Sequence, residues 1–314
     1  MKKKLSAVLL ALAASMPMTA QNLVKGNYGY LYCHMSDKGE WTAYAISRDG
    51  YNYQDINGGN PIFNPEEHAC IEGGTRDAYI TRMHNGKGYI MVTTDMCVRK
   101  SHKWDNYGID LLKSKDLTNW TSVTFDFRKG MQNFCDAATA TSPYKDWSAI
   151  NRVWHLRSFK TFTKLTTPKL LFDWGYATID ADINFLKSNG LYHMLIKKEG
   201  GKRGIFTATS KYLNHGWSAP VDDDFVSFEG NKLTEGSSAF QLIGDDTWRV
   251  AYIQYSDHPK HYRICKADKY LRNFSDPVDI KGVTAPQHGS FMRITKNEYK
   301  MLQKWDKELK NKAK

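Results

Sequence analysis

The chain has 314 residues, 41% of them hydrophobic and 13% aromatic, and a formal net charge of +11, enough for one large β domain or two ordinary ones. Its basic excess is partly terminal, with Lys2, Lys3 and Lys4 at one end and five lysines between Gln303 and Lys314 at the other. A nucleic-acid-binding surface gathers basic residues on one face with interleaved aromatics, and no such cluster is present, so no nucleic-acid partner is expected.

The first twenty residues read as a secretory signal peptide: the three lysines, an apolar run from Leu5 to Ala14, and the small pair Thr19-Ala20 before Gln21. The run is shorter than the roughly 20 residues that span a bilayer, and no cysteine follows it for lipid attachment. The expectation is a mature chain, 21–314, that forms a single periplasmic or secreted domain and a monomer, with no transmembrane segment. Its five cysteines (Cys33, Cys70, Cys97, Cys135, Cys265) are odd in number and widely spaced. That pattern is neither a disulfide framework nor a zinc site; Cys70 with Cys97 is the pair open to bridging in an oxidising compartment.

Beyond Gln21 the text consists of short aromatic and β-branched runs punctuated by Gly, Asn and Asp. One repeat is Ser47-Arg48-Asp49-Gly50-Tyr51-Asn52-Tyr53, matched by Ser114 to Trp120, Ser210 to Trp217 and Ala267 to Phe274. Each copy follows a strand and ends in an aromatic that opens another. Units near 28–75, 76–130, 135–176, 178–231 and 233–282 result, and periods of about 40 to 60 residues with four strands each mark a β-propeller. The fold expected is all-β, a five-bladed β-propeller with a short C-terminal helix. Its third unit is the least regular, with strands read at 137–144 and 152–159. Gly289 to Ile294 reads as a closing strand, and 297–312 as the helix, with Thr295 as N-cap and Glu298 at the capping-box position.

A second repeat carries carboxylates. Asp77 is followed at plus three by Ile80, at plus twelve by Tyr89 and at plus fourteen by Met91; Asp180 is followed at the same spacings by Ile183, Tyr192 and Met194. A looser copy begins at Glu235 and resumes at Trp248. Each acid opens a hairpin with an Asn-Gly or Gly-Asp turn. In a propeller the first strand of each blade lines the axis, so the three acids should meet at one end of the channel. Carboxylates gathered in one concavity repel one another and raise at least one pKa, an arrangement that glycoside hydrolysis uses, with one acid protonated and one ionised. Asp182 lies two positions from Asp180 on the same strand face and competes with it for that role. Asp95, Asp110 and Glu199 read as supporting acids.

Gly73-Gly74-Thr75-Arg76-Asp77-Ala78 resembles the Gly-Gly-Val-Arg-Asp-Pro motif of glycoside hydrolase family 43. Ile179-Asp180 and Glu235-Gly236 resemble that family's Ile-Asp and Glu-Gly motifs, and Gln287-His288-Gly289 its Arg-His-Gly segment. Ala78 stands where the family has Pro, and Gln287 where it has Arg. The resemblance implies a five-bladed propeller acting on arabinose- or xylose-containing glycans, with Asp77 as general base, Asp180 as pKa modulator and Glu235 as general acid. It implies substrate contacts from Arg76, Asp182 and His288. His288 would lie near a Ca2+ ion or water cluster in the channel, although no cofactor is required. Trp174, six residues ahead of Asp180, is the first candidate for a sugar-stacking wall, with Trp104, Tyr107 and Trp147 as further ones. The function expected is release of a terminal pentose, first α-L-arabinofuranose, from an oligo- or polysaccharide with inversion. β-Xylosidase and galactofuranosidase are the enzymatic alternatives, and a propeller lectin the non-catalytic one.

Overall fold

The computed structural model describes residues 27–104, 106–128, 152–159, 161–199, 204–220, 225–226 and 233–312. The first unit holds β1 (Asn27–Ser36), β2 (Trp41–Ser47) and β3 (Tyr53–Asp55), and the second β4 (Arg76–Arg82), β5 (Tyr89–Thr94), β6 (Gly108–Ser114) and β7 (Trp120–Asp126). Two short strands follow, β8 (Trp154–His155) and β9 (Lys169–Leu170). Then come β10 (Thr178–Leu186), β11 (Leu191–Lys198), β12 (Gly204–Ser210) and β13 (Phe225–Val226). The last group is β14 (Thr234–Gln241), β15 (Trp248–Gln254), β16 (His261–Ala267) and β17 (Val278–Asp279), before β18 (Pro286–Thr295) and a terminal helix, α1 (Lys296–Lys312).

These strands make four four-stranded sheets in a β-propeller arrangement, ordered β18-β1-β2-β3, β4 to β7, β10 to β13 and β14 to β17. Where a five-bladed ring was expected, the place between the second and fourth units carries a two-stranded sheet, β8-β9, among the described residues. The strand expected at 137–144 lies outside those residues, and 152–159 contributes only Trp154 and His155 to a strand. The closing strand is longer than expected and supplies the innermost position of the first sheet, antiparallel to β1. Around the axis, β10 packs on β14, β14 on β18, and β18 on β4.

The Ser-Asp repeat is a set of side-chain-capped turns on the outer rim. Asp49 Oδ1 accepts from the Tyr51 and Asn52 amides at 2.8 Å each, and Asp116 does the same for Thr118 and Asn119 at 2.9 and 2.8 Å. Asp residues satisfy turn amides in this way because the carboxylate reaches the backbone two and three residues on. Within the first sheet Tyr32 stacks on its cross-strand partner Phe291 with ring centroids 4.4 Å apart, and between sheets Phe291 stacks on Phe240 at 4.3 Å. The helix closes the far side through Leu302, which is fully buried with Leu31, Tyr44 and Met91. Its capping box forms as the sequence predicts, the Thr295 amide donating to Glu298 at 2.7 Å and the Glu298 amide to Thr295 Oγ1 at 3.3 Å. Cys33, Cys97 and Cys265 are buried free thiols and Cys70 an exposed one, so the Cys70–Cys97 bridge is not formed.

Candidate active site

Three of the four innermost strands start with the same backbone irregularity. In β4, Asp77 and Ala78 together face a single residue of β5; in β10, Asp180 and Ala181 face one residue of β11; in β14, Gly236 and Ser237 face one residue of β15. Such bulges re-aim side chains at sheet edges. The first residue of each pair has a left-handed backbone, with φ of 52° at Asp77, 56° at Asp180 and 60° at Gly236. Asp tolerates that region better than most residues and Gly does so freely. Strand β18 is irregular at the same end, where Gln287 and His288 face Met35 alone.

The bulges correct one expectation. Asp77 and Asp180 share a register, but their counterpart is Gly236, and Glu235 stands one position earlier. Trp248 carries the signal, since it lies twelve residues after Gly236, as Tyr89 lies twelve after Asp77. Glutamate's extra methylene brings its carboxyl to the shared centre.

That centre is the imidazole of His288. Its Nδ1 lies 3.1 Å from Asp77 Oδ1 and its Nε2 3.3 Å from Glu235 Oε1. Asp180 Oδ2 accepts from the Gly236 amide at 3.1 Å, and one donor atom each of Asp180, Glu235 and His288 lies within 4.8 Å of the others. Lys197, on β11 and 4% exposed, donates to Glu235 Oε2 and pairs with Glu199 at 3.0 Å. The sequence reading missed Lys197. It ends a run, Met194-Leu195-Ile196, buried on both faces, so alternation could not show which way its side chain points; its only sequence signal is a charge at the end of an apolar strand.

Two cross-strand clamps hold the centre. Ser290 Oγ accepts from the Ile80 amide at 2.9 Å and donates to the Ala78 carbonyl at 3.1 Å, fastening β18 to β4. Asp182 Oδ2 accepts from the Ala239 amide at 2.8 Å and from Asn184 at 2.7 Å, fastening β10 to β14. Asp182 is thus occupied by backbone, while Asp180 faces the imidazole group.

The charges sort the acids. Burial pushes Asp77 up, but His288 and Arg76 outweigh it and hold the carboxyl below its ordinary range. Burial also pushes Glu235 up, and contacts from His288 and Lys197 overcome that, bringing it down to about 2. Asp180 is raised, chiefly by burial, with Glu235 and Asp77 adding to it, and burial raises Asp182 to about 7. His288 is held well above the imidazole range: burial opposes its charge, but Asp180, Asp77 and Glu235 prevail. The Lys197 ammonium and the His288 ring both face Glu235 and favour its ionised form in the site without substrate.

The same contacts bear on a channel cation. The trio of Asp180, Glu235 and His288 has metal-like spacing, but both imidazole nitrogens face carboxylates, Lys197 takes Glu235 Oε2, and the Gly236 amide takes Asp180 Oδ2. As arranged, this donor set does not fit a Ca2+ ion.

Arg76 is 7% exposed and pairs with Glu40 at 2.7 Å, its Nε 3.7 Å from Asp77 Oδ2. It backs the carboxylate from behind. Trp174 is half-buried, one face stacked on Phe172 at 3.8 Å. Trp104 is 75% exposed, 5.3 Å from the Arg76 guanidinium. Tyr107 lies under Arg128 at 4.7 Å, and Trp147 lies outside the described residues. Asp95 accepts from the Ile71, Glu72 and Gly73 amides at 2.7, 2.8 and 3.1 Å, shaping the loop ahead of Asp77.

Gly236 is where the site is least tolerant. A Cβ there would lie 2.3 Å from the His288 ring, on a backbone at φ +60°. The left-handed conformation alone costs a side-chain-bearing residue roughly 1–2 kcal/mol. Gly236→Ala is expected to lose at least that much in chemical denaturation and to displace the imidazole; unchanged stability with an unshifted His288 ring resonance would contradict this packing.

The model of a glycosyl hydrolase 43-related family, described as a probable glycosyl hydrolase domain, matches residues 26–139 and 139–300. An alpha-L-arabinofuranosidase of Bifidobacterium longum is 24% identical over 353 residues, covering 84% of this chain and 32% of its own length; the chain thus spans about a third of that relative. Two solved structures from Clostridium thermocellum share the fold. An alpha-L-arabinofuranosidase matches with a TM-score of 0.51 at 11% identity, over 84% of this chain and 96% of its own. An exo-beta-1,3-galactanase matches with a TM-score of 0.53 at 12% identity, over 85% and 64%. With the family model spanning nearly all of the described fold, the chain belongs to the glycosyl hydrolase 43-related family.

Proposed function

We propose that the chain is an exported glycoside hydrolase that removes a terminal pentose, first α-L-arabinofuranose, from plant-type glycans with inversion. The observation that carries this reading is the gathering of Asp77, Asp180 and Glu235, from three sheets, around one imidazole. Such a cluster costs folding energy and is common where pKa values are tuned for chemistry. Asp77, held ionised, activates water as general base; Glu235 protonates the leaving oxygen; Asp180 orients substrate and tunes Glu235. Inversion requires room for water between base and sugar, with working carboxyls about 6.5–9.5 Å apart against about 5–5.5 Å in a retaining pair. An imidazole ring with contacts of 3.1 and 3.3 Å on its two sides separates Asp77 from Glu235, which favours the wider class. The β8-β9 sheet is read as the described part of a fifth blade.

The arabinofuranosidase relatives favour that sugar, while the galactanase neighbour keeps the glycone open. A panel of 4-nitrophenyl α-L-arabinofuranoside, β-D-xylopyranoside and β-D-galactofuranoside tests it. Release from the arabinofuranoside is expected, with the β-anomer appearing first by proton NMR. An α-anomer appearing first would overturn Asp77 as base, and no release from any glycoside, with binding retained, would favour the lectin. The reading needs no metal, so EDTA should leave the rate unchanged.

A further inference from the structure

Asp77 presents its two oxygens to different surroundings. Oδ1 is buried 3.1 Å from His288 Nδ1, which leaves Oδ2 as the oxygen to meet a water molecule in the site. On the Oδ2 side stands Arg76, its Nε 3.7 Å away, and that nitrogen is itself buried with no hydrogen-bond partner among the described residues. What aims it is Glu40.

Glu40 ends the turn between β1 and β2, in a different sheet from Asp77, and is 5% exposed. Its Oε1 accepts from Arg76 Nη1 at 2.7 Å; its Oε2 accepts from the Arg99 amide at 2.7 Å and faces the Cys97 thiol at 3.5 Å. The backbone there is left-handed, with φ of 59°, a conformation that glycine would adopt without strain. Strain of this kind gathers at functional sites. Nor is the carboxylate needed to join the two sheets, because the Thr42 amide donates to Thr75 Oγ1 and Thr42 Oγ1 to the Thr75 carbonyl, each at 2.9 Å. The task left to it is the guanidinium.

We propose that Glu40 is a positioning residue for hydrolysis, resting on the proposed hydrolase reading: acting through Arg76, it fixes the direction in which Asp77 Oδ2 meets the attacking water. A gap of 3.7 Å is longer than a hydrogen bond, so Arg76 serves Asp77 as a charge held at a set place behind the carboxylate. Its place is set by the Nη1 contact to Glu40. Trp104 lies 5.3 Å from the same guanidinium, and the Arg99 amide ties the segment leading to Trp104 onto Glu40 as well. One carboxylate thus anchors both the cation and its cover.

Glu40→Gln should lower kcat by about 10²-fold, the scale of a 1 Å misplacement, with KM little changed. The loss should be the same on an alkyl and an aryl glycoside, because the base acts on water whichever group departs. In an Asp77→Asn background the same substitution should cost no further rate, since its route to the chemistry is already gone. Unchanged kcat, a loss carried by KM, a loss that shrinks on the aryl glycoside, or a full second loss in the Asp77→Asn background would overturn the proposal. Should Glu40→Gln fail to fold, Arg76→Lys takes its place: it keeps a cation for Glu40, but one ammonium lacks the fork that faces Glu40 and Asp77 together. Its kcat should fall in the same pattern, and wild-type kcat would overturn the proposal. Independently of turnover, the Arg76 Nε–H should be protected from solvent exchange in 15N NMR and lose that protection in whichever of Glu40→Gln and Glu40→Ala folds. A guanidinium indifferent to the substitution overturns the proposal whatever the glycoside panel shows. Failure of the wild type on every glycoside would instead count against the hydrolase reading.

Discussion

Glu235→Gln is expected to lower turnover by about 10²–10⁴-fold on a glycoside with a poor leaving group, the usual worth of general acid catalysis. The loss should shrink on an aryl glycoside whose leaving group departs without a proton. Glutamine keeps the shape and can still accept from Lys197. Lys197 also retains Glu199 at 3.0 Å, so the substitution leaves no buried ammonium without a counter-charge and the fold should survive. Asp180→Asn has a different signature. Removing a carboxylate beside Glu235 and His288 lowers the pKa of both, so the basic limb of the pH–rate profile should move down. A Glu235→Gln variant with more than half of wild-type turnover on the alkyl glycoside would remove Glu235 from the mechanism.

Glu298→Gln should have the largest effect on stability, although it lies at the start of the helix, away from the chemistry. Its carboxylate pairs with Arg82, accepts from Tyr89 and closes the capping box on Thr295. Arg82 is 8% exposed, and removing one partner of a buried pair strands the other charge at a cost of about 3–5 kcal/mol. Burial pushes Glu298 up, but Arg82, Tyr89 and the Thr295 amide overcome it and bring it down to about 2, below the roughly 4.3 of an unfolded glutamate. A depressed carboxyl stabilises the fold fully above the unfolded value and loses that contribution as pH falls through the folded one. The gap between wild type and variant in chemical denaturation should therefore be full at pH 7 and close between about pH 4 and 2. A gap of the same size at pH 7 and pH 2.5 would show that Glu298 acts by packing alone.

How much was legible follows from which interactions are local. The capping box of Thr295 and Glu298 spans three residues, and the Asp49 and Asp116 turns span two or three, so their partners are visible in the text. The matching of Asp77 with Asp180 survived because bulge and hairpin recur intact in both copies. Glu235 was placed one position off because the third copy lacks the tyrosine and methionine that index the other two; counting from Trp248 restores the register. Lys197 and the inward turn of Arg76 towards Glu40 were not legible, since each is settled by a partner 38 or 36 residues away. The lowering of Glu235 comes from His288 and Lys197, 53 and 38 residues away, so nothing local in the sequence signals it. The Cys70–Cys97 pairing failed for a related reason: spacing shows only that a bridge is allowed, whereas Cys97 lies buried beside Glu40.

The strand that closes the first sheet follows every other described strand in the chain. Domains form as the chain emerges, earlier segments first, so β1, β2 and β3 must wait with an open inner edge until residues 286–295 arrive more than two hundred residues later. The same ten residues carry His288 and the Ser290 clamp on β4. A chain cut short, or a ring that fails to seal, thus lacks the imidazole around which the three carboxylates collect and leaves them to repel one another. The gathering of the three carboxylates is in this way contingent on β18 reaching its place between β1 and β4.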